Sequence, residues 1–484
     1  MRRTVLALAA GVGAAVVVGS AVALVVGFGT VVGANVLVNV PDPITANNSP
    51  TVVHDPRSPA HLALVQRVDR PDFSAVLETS ADSGATWQSH SLPLPPGADR
   101  PFAPDAAFAP DGTLYVLYAN LEGLANTPAN LWLARSADDG RTLSAPAHVA
   151  GKLAFQPRLA VGTDGVVHVT WLQAADVGLF RLGEGPNPVV ASRSDDGGRT
   201  FSPPVQVSDP ARPRVGAASP VVDSAGRLVV LYEDFRGDRR DFENLDGPPA
   251  DEPFALVVAT SPDGGRTFSP GVEAEPAVVP TARFVVFLPP FPSLAAGPGG
   301  VLYVAWSDGR DGDPDVLLRR SADGGATWSA PMRVNDDRRG DGASQSLPRV
   351  AVSAAGRVDV AFLDRRRDPK NVLTDAWLAS SADGGRTFSG RRLSTSSFDS
   401  RIGLGTPHGG ADLGSRLGLD ATGPDTVAAW PDTRAGTEVT GRQDVVATRV
   451  RRLARWPVVV WPLVAGVVVG EAVALLARRR QAAP

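Results

Sequence analysis

Three arginines carry the clearest chemical signal in this sequence: Arg158, Arg349 and Arg416. They stand at equivalent positions in copies of an internal repeat, where each begins a short apolar segment. A guanidinium group can donate two parallel hydrogen bonds to a carboxylate, so arginines that converge from separate segments can bind an acidic ligand. We predict that the three are substrate-binding residues. The alternative is that each pairs with a carboxylate of a neighbouring loop.

Two carboxylates are candidates for acid–base chemistry. Asp105 occupies the same repeat position as the three arginines, and Glu233 directly follows Tyr232 at the end of a predicted strand. A carboxylic acid that is buried beside a second carboxylate can exchange protons with a substrate near neutral pH. Asp105 and Glu233 are therefore predicted as catalytic residues, provided that the fold supplies such an environment.

Other clusters of charge are repeated, and repetition favours a structural role. An aromatic-x-Asp-x-Arg motif occurs four times, and it is predicted to tie turns or to form salt bridges between neighbouring repeat units. The alternating carboxylates of Asp311-Gly-Asp313-Pro-Asp315 resemble a calcium loop, but Asp315 recurs in register as Asp375 and Asp444. The six histidines are scattered, so we predict no metal site and no cofactor. The four motifs are Tyr232/Asp234/Arg236, Trp306/Asp308/Arg310, Phe362/Asp364/Arg366 and Trp430/Asp432/Arg434.

One octapeptide, Ser-x-Asp-x-Gly-x-Thr-aromatic, recurs along the chain. Its Ser and Asp side chains can accept backbone N–H groups across a hairpin turn, and its Gly allows a positive φ. The last residue begins the next strand and can pack between sheets. Successive copies are 56 to 67 residues apart, a spacing typical of propellers and other repeat folds. The copies begin at Ser80, Ser136, Ser194, Ser261, Ser321 and Ser381, and Leu143 is the one departure from an aromatic last residue.

A second repeat precedes the octapeptide: a short apolar strand, a Gly turn and a strand that ends in an aromatic residue. Four clear copies begin at Pro104, Pro157, Pro292 and Pro348, and three looser ones make seven. Each unit then reads as four antiparallel strands, which is a propeller blade. The seventh unit has no octapeptide, and residues 35–40 resemble the missing outer strand. The fold class is predicted as all-β, a seven-bladed propeller over residues 35–450, with six blades as the alternative.

The octapeptides resemble the Asp-box, or BNR repeat, of sialidase-like propellers over about residues 49–450. This resemblance implies an exo-α-sialidase-type glycoside hydrolase, in which three arginines hold the carboxylate of sialic acid. Family members also carry an Arg-Ile-Pro motif near the first blade and a late Tyr nucleophile paired with a Glu. Here the first strand reads Ser49-Pro50-Thr51, and no tyrosine follows Tyr303. The sequence departs from the family at both catalytic motifs.

Two apolar segments predict membrane anchoring. Residues 4–34 and 456–477 are each long enough to span a bilayer, and basic residues flank their outer ends. We predict transmembrane helices within terminal domains 1–34 and 451–484, and a cell-membrane location with the propeller outside the cytoplasm. With 47 basic and 51 acidic residues, the net charge of −4 predicts no nucleic-acid partner.

Three functions remain open from the sequence. The first is a cell-surface propeller that binds a glycan, a peptide or a cell-envelope polymer. The second is a glycoside hydrolase of the sialidase type. The third is a structural protein of the envelope.

Overall fold

The computed structural model describes residues 30–124, 126–175, 186–236, 252–281, 291–402, 413–421 and 425–452. These residues form seven antiparallel sheets, and Val32–Val450 is one compact unit. Each sheet is a blade whose first strand is the innermost. The fold is therefore an all-β propeller of seven blades, as predicted, and the six-bladed alternative is wrong.

The strands follow one another in blade order along the chain. Two short N-terminal strands, β1 (Thr30–Val32) and β2 (Val36–Leu37), come first. Blades 1 to 3 comprise β3 (Asn47–Asp55), β4 (Ser58–Val68), β5 (Ser74–Ser80), β6 (Gln88–Ser91), β7 (Pro101–Phe108), β8 (Leu114–Glu122), β9 (Thr127–Ser136), β10 (Ala147–Ala150), β11 (Ala154–Val161), β12 (Val167–Gln173), β13 (Val189–Ser194) and β14 (Val205–Gln206).

Blades 4 to 6 continue the same pattern, and blade 7 is built from both ends of the chain. Blade 6 has a short additional strand, β27, that pairs with β25. The strands are β15 (Val215–Val222), β16 (Leu228–Asp234), β17 (Phe254–Ser261), β18 (Val272–Val278), β19 (Ser293–Ala296), β20 (Leu302–Asp308), β21 (Asp315–Ser321), β22 (Met332–Arg333), β23 (Gln345–Val352), β24 (Val358–Asp364), β25 (Leu373–Ser381), β26 (Ser389–Arg392), β27 (Phe398–Asp399), β28 (Gly418–Asp420), β29 (Thr426–Asp432) and β30 (Asp444–Arg452).

The ring is closed by the N-terminal strands, which supply the outer strand that blade 7 lacks. Val36 lies opposite Ala447 in antiparallel pairing, and the Val38 N–H donates to the carbonyl of Val445 at 2.9 Å. The Asn39 side chain reinforces the closure, because its Oδ1 accepts the Val445 N–H at 2.7 Å. The prediction that residues 35–40 close a seven-bladed ring is confirmed.

The structure contradicts the predicted cell-membrane location. None of the residues that it describes belongs to a helix long and apolar enough to cross a bilayer. Thr30–Val32, at the end of the first predicted span, is strand β1, where β-branched side chains suit pairing with β30. The rest of that span and all of residues 456–477 lie outside the described residues, and the boundaries of the two terminal domains stay predictions.

Seven hydrophobic clusters form the core, one at each interface between neighbouring blades. The cluster between blades 4 and 5, for example, joins Leu231 of β16 to Val304 of β20, and Trp328 packs against it. Trp328 is the last residue of an Asp-box, and the last residue of every other box joins a cluster in the same way: Trp87, Leu143, Phe201, Phe268 and Phe388. This confirms the prediction that the octapeptides anchor one blade on the next.

The Asp-box turns are held by the bonds that the sequence predicts. In the second box, the Gly140 N–H donates to Ser136 Oγ at 2.8 Å, and the Thr142 N–H donates to Asp138 Oδ1 at 2.9 Å. Thr142 Oγ1 also donates to Asp138 Oδ2. Hydrogen bonds from Ser136 and Thr142 lower the pKa of Asp138 to about 2. The carboxylate is thus ionised throughout the neutral range, as an acceptor in a turn must be.

A glycine substitution in the third box tests the packing of boxes on blades. Gly198 has φ +76°, and a Cβ there would lie 2.5 Å from Leu133 Cδ2 in the preceding blade. Gly165 has φ +80°, but nothing lies within 4 Å of its Cβ position. We expect Gly165→Ala to lower the free energy of unfolding by about 1 kcal/mol, from backbone strain alone. Gly198→Ala should lose roughly 1–3 kcal/mol more from overpacking. Equal losses in denaturant unfolding would contradict this packing.

Glu78 gives the fold a pH dependence. It is 1% exposed, with Gln66 Nε2 at 3.2 Å and Ser89 Oγ at 2.6 Å, and burial raises its pKa to about 7. The folded protein keeps this proton up to about pH 7, whereas the unfolded chain releases it near its ordinary pKa of 4.5. Stability from this group is therefore complete below pH 4.5 and is lost as the pH rises through 7.

We expect Glu78→Gln to remove that loss. The variant should unfold like the wild type at pH 4 and be more stable at pH 8, by up to about 3 kcal/mol. Glu122, whose side chain is 45% exposed and paired with Lys152, supplies the control variant Glu122→Gln. Denaturant unfolding from pH 4 to 8 is the measurement, and an equal gain at both pH values would count against the buried carboxyl as the cause.

Candidate anion-binding site at the channel mouth

The innermost strands begin with an unusual backbone at the end of the axial channel opposite the Asp-boxes, which we term the mouth. We call the repeat position that holds Asp105, Arg158, Arg349 and Arg416 in the sequence alignment the ring position. In five blades the residue two positions before it has a positive φ, and the strand register shifts there, as at a β-bulge. Such a bulge bends the strand and redirects the side chain that follows. The five residues, with φ between 48° and 53°, are Ser49, Ala103, Gln156, Ala217 and Leu347, and Gly414 takes the place in blade 7 with φ 85°.

Side chains at this level reach across to the next blade. Asp105 Oδ2 in blade 2 accepts the Leu159 N–H of blade 3 at 2.9 Å. Ser293 Oγ in blade 5 accepts the Val350 N–H of blade 6 at 3.0 Å. The ring positions therefore hold neighbouring blades together, and an arginine at such a position is surrounded by protein.

Arg158 has an ion-pair partner, but not all of its N–H groups are hydrogen-bonded. Its Nε lies 3.5 Å from Asp105 Oδ2, and its guanidinium carbon lies 5.7 Å from the ring centroid of Phe291. The side chain is 5% exposed, and its Nε and Nη1 have no hydrogen-bond partner. Its charge is balanced by Asp105, while part of its donor capacity is unused.

Arg416 crosses the mouth from blade 7. Its Nε donates to Thr51 Oγ1 at 3.0 Å, and its Nη2 donates to the carbonyl of Pro104 in blade 2. Both acceptors are neutral. Burial lowers the pKa of Arg416, and the nearby charge of Arg158 lowers it further. This guanidinium is hydrogen-bonded without being neutralised.

Arg349 has no hydrogen bond or ion pair with any residue that the structure describes. It lies opposite Ala361 at the start of blade 6 and is half-buried. Burial lowers its pKa to about 10, and the positive charge of Arg158 contributes. It remains charged at neutral pH. A cation that is partly removed from water without a partner is costly, and the role of Arg349 as a substrate-binding residue stays a prediction.

A pocket adjoins this cluster of arginines; Arg416 lines it, whereas Arg158 and Arg349 do not. It holds about 540 Å³, counted with the solvent open above it. Phe102, Phe155 and Phe291 supply aromatic walls. Arg67 also lines it but is already neutralised, because its Nη2 donates to Asp69 at 2.7 Å. The pocket therefore combines aromatic walls with one guanidinium, that of Arg416, whose hydrogen-bond acceptors are neutral.

Comparison with known proteins identifies the repeat. Residues 39–277 match the family model of the BNR repeat-like domain. The chain is a BNR-repeat β-propeller. The family match agrees with the resemblance inferred from the octapeptides. No curated protein matches the chain in sequence.

Several solved structures are similar to this BNR-repeat propeller. A protein of unknown function from Dyadobacter fermentans has a TM-score of 0.48 at 14% identity, covering 88% of this chain and 100% of its own. A Hadza microbial sialidase has a TM-score of 0.44 at 16% identity, covering 81% of this chain and 74% of its own. An ulvan lyase of a polysaccharide lyase family has a TM-score of 0.49 at 12% identity, covering 85% and 95%.

The two predicted catalytic carboxylates of the BNR-repeat propeller lie in different surroundings. Asp105 is 2% exposed and contacts Arg158 and the Leu159 N–H, and no second carboxylate among the described residues is bonded to it. Glu233 is buried on β16, opposite Gly216 in blade 4. Their catalytic roles stay predictions, and the ion pair of Asp105 suggests a part in placing Arg158.

The repeated Asp–Arg motifs are structural, as predicted. In blade 6, the Arg366 N–H donates to Asp364 Oδ1 at 2.8 Å, which ties the turn. The Arg366 guanidinium also bonds Asp336 at 2.5 Å, in the segment that leaves blade 5. Arg310 does the same in blade 5, bonding Asp308 at 2.5 Å and the carbonyl of Ala277 at 2.8 Å.

Metal-binding groups are few in the part of the chain that the structure describes. Asp55, His61 and Asp139 come within 4.8 Å of one another at their ligand atoms. Each already has a protein partner, since Asp55 pairs with Arg57 at 2.9 Å and His61 Nδ1 lies 3.1 Å from Asp139. Asp315 of the calcium-like loop accepts Arg333 Nε and Asn335 Nδ2, both at 2.6 Å.

Sequence reasoning missed the walls of the pocket. Phe102 and Phe155 each come three residues before a ring position, and the bulge carries them to the mouth. An aromatic at the same offset in two repeats was a usable signal. The third wall, Phe291, comes two residues before the ring position Ser293.

Matched substitutions of two arginines should change stability in opposite directions. Arg349→Met removes a half-buried charge that has no partner, so the free energy of unfolding should rise by about 1 kcal/mol or more. Arg158→Met leaves Asp105 buried without its counter-ion, and the loss should be about 3 kcal/mol. Denaturant unfolding at pH 7 in a buffer poor in small anions is the measurement. If both variants were destabilised alike, Arg349 would have a partner after all.

Proposed function

We propose that this propeller binds an acidic glycan, a saccharide that carries a carboxylate, at the mouth of its axial channel. The observation that supports this most directly is Arg349, a half-buried guanidinium with no partner among the described residues. Arg416, which has only neutral acceptors, stands with it. A carboxylate is the group whose geometry matches paired guanidinium donors.

The pocket supports a sugar as the body of the ligand. Its lining is mostly apolar with a few placed polar groups, as in most small-molecule sites. The rings of Phe102, Phe155 and Phe291 offer flat apolar surfaces. The C–H face of a pyranose can pack on such a ring while its carboxylate points toward Arg416.

Binding without hydrolysis is the form of the proposal that the side chains favour. Tyrosine nucleophiles serve the sialidase family, but Tyr115, Tyr118, Tyr232 and Tyr303 are all buried on second strands, and none lines the pocket. Asp105 is held by Arg158 rather than paired with another carboxylate. The acid–base pair of a glycoside hydrolase therefore has no counterpart among the described residues of the pocket.

The test is calorimetric titration of the full chain with oligosaccharides that end in glucuronate or sialate, beside neutral oligosaccharides of equal length. We expect Arg349→Ala to weaken binding of the acidic sugars at least tenfold, the loss typical of a charged hydrogen bond. Arg339 is the matched control, since its side chain is 67% exposed at the same end of the propeller and pairs with Asp311. Arg339→Ala should change affinity less than twofold.

Two results would contradict the proposal. Equal affinity for acidic and neutral sugars would show that the arginines do not select the ligand. Turnover of a fluorogenic sialoside by the wild-type chain, lost in Arg349→Ala, would instead favour a hydrolase.

A further inference from the structure

The charges at the mouth do not balance with a single carboxylate. Arg158 is neutralised by Asp105, at 3.5 Å, and Arg67 by Asp69, at 2.7 Å. Arg349 and Arg416 remain as two guanidinium groups without a counter-charge in an ion pair with any described residue. A ligand with one negative charge would leave one of them uncompensated.

Among the described residues, Asp420 is the other carboxylate whose charge acts on Arg349, and it is bonded elsewhere. Asp420, on β28, accepts the backbone N–H of His54 at 3.2 Å and lies 2.9 Å from His54 Nδ1. It forms no ion pair with Arg349, although its charge acts on Arg349 over a longer range. The hydroxyl and carbonyl groups that hold Arg416 are neutral.

We infer that the mouth selects a ligand that bears two negative charges, with Asp105 setting that number by neutralising the third arginine. This inference rests on the proposed function, because it names the charge of the ligand bound at the same site. Two chemistries supply it: two carboxylates on one sugar, or one dianionic group such as a phosphate monoester.

Asp105 is then a positioning residue for specificity. Its Oδ2 accepts the Leu159 N–H and lies 3.5 Å from Arg158 Nε, so its charge balances that of the guanidinium. An asparagine at this position keeps an acceptor for Leu159 and removes the charge. Asp105→Asn should therefore raise the preference for doubly charged ligands without dismantling the bulge.

A series of probes with one carbon skeleton tests the inference: glucose, glucuronate and glucarate, which carry zero, one and two negative charges. Glucose 6-phosphate, with two charges on one group, separates the two chemistries. Titration of the full chain at low ionic strength should show glucarate or glucose 6-phosphate binding at least tenfold more tightly than glucuronate. The advantage should shrink as salt is added, as expected for charge pairing.

Variants of the full chain give the inference its controls. Arg349→Ala should reduce the advantage of the doubly charged probes to less than twofold, Asp105→Asn should enlarge it, and Arg339→Ala should leave it unchanged. Circular dichroism and the thermal midpoint of each variant show whether it is folded, and the comparison of probes on the wild type stands without any variant.

The outcomes separate this inference from the proposed function. Glucuronate that binds as tightly as both dianions would overturn the inference and leave acidic-glycan binding intact. If Asp105→Asn left the preference for doubly charged over singly charged probes unchanged, Asp105 would not set the charge of the ligand. Failure of all charged probes, together with the acidic oligosaccharides, would overturn both.

Discussion

Closure of the ring is the constraint on which the other features depend. A propeller places its innermost strands around an axis only if the last blade is complete, and here its outer strand comes from the other end of the chain through Val36 and Leu37. Without that pairing, β30 would present an open edge, and the cluster between blades 6 and 7 would lose the packing of Val32. The axial channel, and therefore the mouth, exists because this edge is covered.

Within the closed ring, repetition and departure from repetition have different uses. The Asp-boxes repeat the same bonds between Ser, Asp, Gly and Thr in six of the seven blades, and their last residues pack in six of the seven interfaces. The ring positions at the mouth vary: Ser293 and Asp105 bond the next blade, whereas Arg349 bonds nothing described. A repeated scaffold tolerates such variation because blades 1 to 6 are already fixed by their own boxes and clusters.

Much of this could be predicted from the sequence, because it depends on local chemistry. The boxes fix a turn through side chains within six residues of one another, and residues 35–40 resembled outer strands such as Val205-Gln206-Val207. Contacts between distant blades could not be predicted. Arg416 reaches Pro104, 312 residues away in the chain. The sequence alignment of the repeats placed Arg416 at the ring position of blade 7. In the structure Gly418 occupies the equivalent position, opposite Ala429, so the alignment was two residues out. The apolar composition also gave a wrong prediction, because Thr30–Val32 belongs to a predicted transmembrane segment in the sequence and folds as a strand.

The left-handed residues at the mouth have a consequence for how this protein can change. Five L-residues held at positive φ store roughly 1–2 kcal/mol each. Together they represent an amount comparable to the whole stability of many domains. Glycine would release that strain at any of them, but at Ser49 and Gln156 it would also remove a side-chain acceptor for a backbone N–H of another blade. Substitution toward glycine would therefore exchange backbone strain for the loss of contacts that hold the mouth together.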